Sequence, residues 1–160
     1  MEYKMALTQE LGLKKPIAIL PHEALLNVYY TASCLKKKAD QFFAPFGLTD
    51  VQFNLMMLVR HQCGEEGGLS QAQLSAMMLV NRANITSLVD RMEKSGLVER
   101  TDSPTDRRYN IVKLTAKGRK LLDEVEPVYG KEIRKVMSAL RESDLKKLII
   151  MLERTRANLS

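Results

Sequence analysis

The sequence is poor in the residues that build most reactive centres. In 160 residues it has two cysteines, Cys34 and Cys63, and two histidines, His22 and His61. Two cysteines make no disulfide framework, and their spacing fits no zinc pattern, so free thiols in a reducing compartment are expected. His61 and Cys63 are a pair of candidate ligands without nearby carboxylate support, which is too little for a metal site. No cofactor is expected. No phosphate-cradling glycine loop follows a strand, and two histidines leave little scope for a Ser/His/Asp arrangement, so an enzyme is not expected. No apolar run approaches the ~18 residues needed to span a bilayer. Glu2 and Glu10 interrupt the N-terminus, and the apolar run at 16–20 is too short for a signal sequence. Internal repeats and low-complexity tracts are also missing. Together these absences predict an intracellular, cytoplasmic protein with no membrane contact.

What the chain has is positive charge in one place. The formal net charge is +6, and the 45% apolar content is enough for a core. Residues 81–120 hold ten Lys/Arg against five Asp/Glu, so five of the six net charges fall in a quarter of the chain. Such an excess suggests a polyanion partner, with a solvated basic surface as the alternative.

Residues 96–118 are the most informative. Two β-type runs, 97–101 and 109–114, flank a polar turn at 102–108 centred on Ser103 and Pro104, with Arg107 and Arg108 at its far end. On the second run Ile111 and Lys113 point one way and Asn110, Val112 and Leu114 the other, the pattern of a strand with one buried face. Cations at a hairpin tip are not explained by core packing. They suit a phosphate-lined groove.

The spacing predicts a helix over 22–46, ended by Pro45 and Gly47. Thr49 and Gln52 form a capping box that opens a second helix, stopped by the loop at 64–68. Ser70 and Gln73 form another, opening a short helix to about Met78. After a tight turn Asn81 caps the next helix, where Ile85, Leu88, Val89 and Met92 make a narrow core-facing stripe. Gly96 is placed to end it in the left-handed conformation. Two short helices, a tight turn and a hairpin make a winged helix-turn-helix. A further helix starts at Thr115, with Pro127 expected to kink or break it, and a last one starts near Ser143.

The predicted fold is therefore mainly α with a small β-hairpin wing: a winged helix-turn-helix plus a helical dimerisation domain. Its parts are an N-terminal arm at 1–21, a dimerisation helix at 22–48, the DNA-binding module at 49–118 and C-terminal dimerisation helices at 119–160. Leu25, Tyr29, Leu145, Leu148, Ile149 and Leu152 are expected in the interface of a homodimer, with a larger intrachain bundle as the alternative.

On the 81–95 helix, Arg82, Asn84 and Ser87 are the expected base contacts, because Arg pairs with guanine and Asn with adenine in the major groove. Thr86 and Arg91 are expected on phosphates of double-stranded DNA, as are Arg100, Arg107, Lys113 and Lys117. Asp106, two residues before Arg108, is expected to orient that guanidinium into a minor groove. The alternative there is an ordinary exposed ion pair.

The chain resembles the MarR family of bacterial transcription regulators in Leu88-Val89-Asp90-Arg91-Met92-Glu93, Gly96-Leu97-Val98, Asp106-Arg107-Arg108 and Leu114-Thr115-x-x-Gly118. The likeness runs from about His22 to the C-terminus. It implies a triangular homodimer whose first and last two helices form the dimer domain. It also implies a pseudo-palindromic operator, and release by a small aromatic acid or an oxidant. Three features depart from the family pattern: the arm of about twenty residues, Leu79 where the turn often has glycine, and the loop at 64–68. The reactive cysteine of the family's peroxide-sensing branch aligns with Leu25, and Cys34 lies more than two turns further on. Thiol sensing is thus the alternative within the family, against a pocket for a small aromatic or amphipathic ligand. Tyr29, Tyr30, Phe53 and Met56 are its candidate lining, with core packing the other reading of each. A winged helix used for protein–protein contact would need an apolar outer face at 81–95, against which Arg82 and Arg91 argue.

Overall fold

The computed structural model of the chain describes residues 7–64, 67–78, 82–103 and 110–159, with backbone alone at 82 and 83. Its elements in chain order are α1 (Leu7–Glu10), α2 (Leu20–Phe43), a 3-10 turn (Ala44–Phe46), α3 (Asp50–His61), β1 (Leu69–Ser70), α4 (Gln71–Met77), α5 (Arg82–Lys94), β2 (Val98–Asp102), β3 (Asn110–Leu114), α6 (Ala116–Val136) and α7 (Glu142–Ala157).

Local chemistry sets most of the boundaries. The Gln52 amide donates to Thr49 Oγ1 at 3.2 Å and the Thr49 amide to Gln52 Oε1 at 2.9 Å, so both halves of the first capping box are made. Ser70 and Gln73 repeat the arrangement at the start of α4, at 2.8 and 3.2 Å. At the end of α5, Gly96 takes φ 72°, the Leu97 amide bonds back to Met92 and the Gly96 amide to Glu93. This is the reciprocal pair of a Schellman ending, and it turns the chain directly into β2.

The sheet is antiparallel with order β1-β3-β2, and Val98 faces Leu114 while Asp102 faces Asn110. Sequence reasoning missed β1. Two residues cannot show an alternation, and one of them, Ser70, is also a helix cap. The expected single buried face of β3 also needs correction: Ile111 and Val112 are adjacent, point to opposite faces, and are both buried. Val112 and Leu114 join the main core, and on the other face the Ile111 side chain lies against Gly68, just before β1. Pro127 does not end α6, which runs unbroken from 116 to 136. Part of the expected arm is helical: α1 is a single turn with Leu7 buried, and Glu10 lies close enough to influence the Tyr30 phenol on α2.

The core gathers Phe43, Phe53, Leu55, Met56, Leu74, Ile85, Val89, Met92, Val112, Leu122 and Val125, so it is centred on the winged helix-turn-helix and its junctions with the end of α2 and the first half of α6. By contrast α7 buries no residue and α2 buries only Phe43. Among the described residues no single helix is long and apolar enough to cross a membrane.

The start of α6 is built onto the end of α5. Thr115 Oγ1 donates to the Gly96 carbonyl at 2.6 Å and accepts from the Gly118 amide at 3.0 Å, while the Thr115 amide donates to the Leu97 carbonyl at 3.2 Å. A Cβ at position 118 would overlap that Leu97 carbonyl, which is backbone and cannot swing aside. Gly→Ala inside a helix ordinarily stabilises by about 0.5–1 kcal/mol. Here Gly118→Ala should instead destabilise by roughly 2–4 kcal/mol, read as a lowered urea midpoint; an unchanged or raised midpoint would refute the close approach.

Candidate nucleic-acid interface

The two faces of α5 differ sharply. Ile85, Leu88, Val89 and Met92 are buried, while Asn84, Thr86, Ser87 and Arg91 are exposed. The buried stripe at i, i+3, i+4, i+7 presses the helix onto the core and leaves a polar face outward. Thr86 Oγ1 donates to Gln71 Oε1 at 2.9 Å, which ties the start of α5 to the start of α4 and holds the two helices of the motif together. The side chain of Arg82 lies outside the described residues, and so do Asp106, Arg107 and Arg108 at the tip of the wing.

The expectation for Arg100 is corrected. Its side chain is only 19% exposed, with Nη2 2.6 Å from Asp90 Oδ1, Nη1 on Glu93 Oε2, and its backbone amide on Glu93 Oε1 at 3.0 Å. Burial pulls the guanidinium pKa down, but the two carboxylates outweigh it and the net shift is upward. Arg100 therefore clamps β2 to α5 and has little left to offer a phosphate. The alternation of β2 hides this, because Arg100 looks like a surface cation until the Asp90–Glu93 spacing on the neighbouring helix is known. Lys117 is also engaged: its Nζ donates to the Ser95 carbonyl at 2.7 Å, at the C-terminal end of α5. Lys113 is half-buried on β3, opposite Glu99.

The residues expected in a dimer interface lie on the outer helices. Tyr29 is 63% exposed and Ile149 56%, with Leu25 and Leu148 also open and Leu145 and Leu152 half-buried. Val28, on the apolar side of α2, is exposed as well, and Ile150 and Met151, which sequence reasoning missed, are open on α7.

A cavity of about 770 Å³ opens between α2, α3 and α6. Four rings meet at its wall: Phe43 and Phe53 at 4.7 Å between centroids, Phe53 and Tyr129 at 4.7 Å, and Phe42 and Tyr129 at 5.7 Å. Of the candidate lining, only Phe53 lies there. Met56 is fully buried in the closed core, and its neighbour Met57 lines the cavity instead. Tyr29 and Tyr30 are not part of the wall, which along α2 is formed by residues from Ala32 to Phe43. Tyr30 sits beside Cys34, whose charge, with burial and Glu10, raises the phenol pKa. The signal that was missed is the Phe42-Phe43 pair at the end of α2. Ion pairs mark the cavity rim: Lys36 to Asp40 at 2.6 Å and to Asp50 at 3.0 Å, and Lys38 to Glu132 at 3.2 Å. A smaller cleft of about 440 Å³ lies next to it, bounded by Lys36, Thr49, Asp50 and Gln52 and by Asn84, Leu88 and Arg91 of α5.

His61 Nε2 lies 2.8 Å from Glu126 Oε1, which also receives Arg60, and the Cys63 thiol faces the Arg60 carbonyl at 3.6 Å. Among the described residues no three His, Cys, Asp or Glu side chains converge to hold a metal ion.

A capped helix α4 tied to α5, the polar outer face of α5 and an antiparallel hairpin clamped to it define a winged helix-turn-helix DNA-binding protein. A model of the MarR family matches residues 46–108. The HTH-type transcriptional regulator MhqR of Bacillus subtilis (strain 168) is 32% identical over 112 residues, covering 70% of this chain and 74% of that protein. The chain belongs to the MarR family, and it is a DNA-binding transcriptional regulator. Among solved structures it is similar to the S. aureus MepR–DNA complex (TM-score 0.73, 22% identity, 83% of this chain and 94% of that one). It is also similar to CouR from Rhodococcus jostii RHA1 bound to p-coumaroyl-CoA (TM-score 0.74, 22% identity, 86% and 94%). At such identities the likeness establishes the fold.

Arg100→Ala should lower stability by roughly 1–3 kcal/mol, since it strands Asp90 and Glu93 beside a half-buried strand. Operator binding should weaken with no change in its salt slope. A slope reduced by one charge per half-site would return Arg100 to the phosphate contacts.

Proposed function

We propose that the protein represses transcription as a homodimer on a pseudo-palindromic operator and leaves it when a small aromatic or amphipathic ligand fills the cavity between α2, α3 and α6. The observation that carries the dimer is α7, a 16-residue helix that buries no residue in the single chain yet exposes Leu148, Ile149, Ile150 and Met151. Leu25, Val28 and Tyr29 of α2 are open in the same way. Apolar surface on two long helices at the chain ends is best covered by a second copy. Two-fold symmetry in the protein then requires symmetry in the site, with half-sites about 10 bp apart or a multiple of that. The dimer helices at 22–48 and 119–160 hold the two copies of the 49–118 module at that spacing.

Within each module Arg82, Asn84 and Ser87 read bases, Arg91 and Lys113 contact phosphates, and Arg107 and Arg108 act from the wing with Asp106 orienting Arg108. The cavity lies where the dimer helix α2 meets α3 and α6, so a ligand there is placed to change the separation of the two α5 helices. A differential affinity of about 3 kcal/mol between the two spacings changes occupancy more than a hundredfold. The exposed Cys34 supports a thiol-based oxidant response as the second reading.

Removing residues 143–160 should abolish dimerisation and operator binding together, measured by light scattering and gel shift; a truncated protein that still binds the palindrome tightly would move the interface elsewhere. Arg82→Ala and Asn84→Ala should each relax preference at one position per half-site, costing roughly 1–3 kcal/mol there. Arg107→Ala should weaken binding to all sequences and reduce the salt slope by about one charge per half-site. Parent-like binding by all three variants would remove the proposed interface.

A further inference from the structure

The charges around the cavity between α2, α3 and α6 say which ligands it favours. From this arrangement we infer that it takes an uncharged aromatic ligand and disfavours the matching carboxylate, an inference that rests on the ligand-pocket reading above.

Among the described lining residues the charged groups are Lys36, Lys38, Asp50 and Glu132, two of each sign. None of the four stands alone. Lys36 holds both Asp50 at 3.0 Å and Asp40 at 2.6 Å, and Lys38 holds Glu132 at 3.2 Å. With Asp40 counted, three carboxylates surround two ammonium groups, so the described part of the rim carries no surplus positive charge. A carboxylate entering from water loses hydration, and that loss is offset only by a counter-charge free to receive it. The two lysine side chains are about half exposed, so each pair is weak by itself; the discrimination comes from the sum, because an entering anion meets three carboxylates with only two ammonium groups to offset them.

The rest of the lining suits a neutral guest. Phe42, Phe43, Phe53 and Tyr129 offer ring faces and edges, which favour a flat aromatic body. The uncharged polar side chains are Asn54 and Tyr129, an amide and a phenol. These match a hydroxyl or carboxamide and give a carboxylate no net charge. A small number of placed polar groups in an apolar cavity is the usual composition of an orienting site.

The test uses two probes of equal size, 2-naphthamide and 2-naphthoate, titrated calorimetrically into the full-length protein at neutral pH. The parent should bind the amide at least tenfold tighter. Glu132→Gln removes the partner of Lys38 at a rim position and should raise naphthoate affinity about tenfold while leaving the amide nearly unchanged. Val136→Trp, which places bulk in the cavity from the exposed face of α6, should weaken both. Naphthoate bound as tightly as the amide in the parent, and lost in Val136→Trp, would overturn the charge inference while the pocket reading stands. A Glu132→Gln protein with the parent's preference would overturn the assignment of that preference to the ion pairs. Failure of both probes to bind, or binding indifferent to Val136→Trp, would overturn the pocket reading and this inference with it.

Discussion

One guanidinium joins the edge strand β2 to α5 through side chains. Arg100 leaves β2, crosses to α5 and ends between Asp90 and Glu93, which are three residues apart and so lie on one face of that helix. The β2–β3 hairpin belongs to a three-stranded sheet whose third strand, β1, has only two residues, so β2 lies at an edge with β3 as its one strand partner. Bonds from Arg100 to two side chains, together with its backbone amide on Glu93, make the hairpin an extension of the helix. A base-reading helix and a groove-reading wing act as one unit only if their separation matches the duplex.

The junction after the wing extends that rigidity to the rest of the chain. Thr115 and Gly118 join the first turn of α6 to the Gly96 and Leu97 carbonyls, so α6 starts in contact with the end of α5. Further along, Asp123 and Glu126 receive Arg60, and Glu126 receives His61, which binds α6 to the end of α3. These are partly exposed pairs, worth little one by one. Their effect comes from number and position, because α3, α5 and the first half of α6 become a single body around Leu55, Met56, Met92, Leu122 and Val125.

The parts of this arrangement visible in the sequence are those fixed by neighbours a few residues away. Thr49 with Gln52, Ser70 with Gln73, and Gly96 after a helical stripe are local chemistry, and each forms as its spacing implies. The outward polar face of α5 follows from the same periodicity. What the sequence hid depends on distant partners. Arg100 reads as a phosphate ligand until Asp90 and Glu93 are seen beneath it. Ile111 reads as an exposed-face residue until a two-residue strand appears on the outer edge of the sheet. Tyr29 and Tyr30 sit on a helix that does line the cavity yet are not in its wall themselves, and Phe42 and Tyr129, 87 positions apart, meet only through packing. Pro127 leaves α6 intact because surrounding contacts can outweigh one lost helical hydrogen bond.

On the ligand-responsive reading proposed above, one ion pair connects the cavity with the surface of α5. Lys36 and Asp50 line both the large cavity and the smaller cleft beside α5. Asp50 is the first residue of α3, its carboxylate accepts the Val51 amide at 2.8 Å, and Lys36 reaches it from the middle of α2. On the far side of the cleft stand Asn84, Leu88 and Arg91. A guest that spreads α2 from α3 must therefore stretch the Lys36–Asp50 pair and reshape the cleft in the same movement. Because α3, α5 and the first half of α6 share one core, such a displacement would fall on their contact with α2. In a dimer held through α2, that contact sets how far apart the two α5 helices stand.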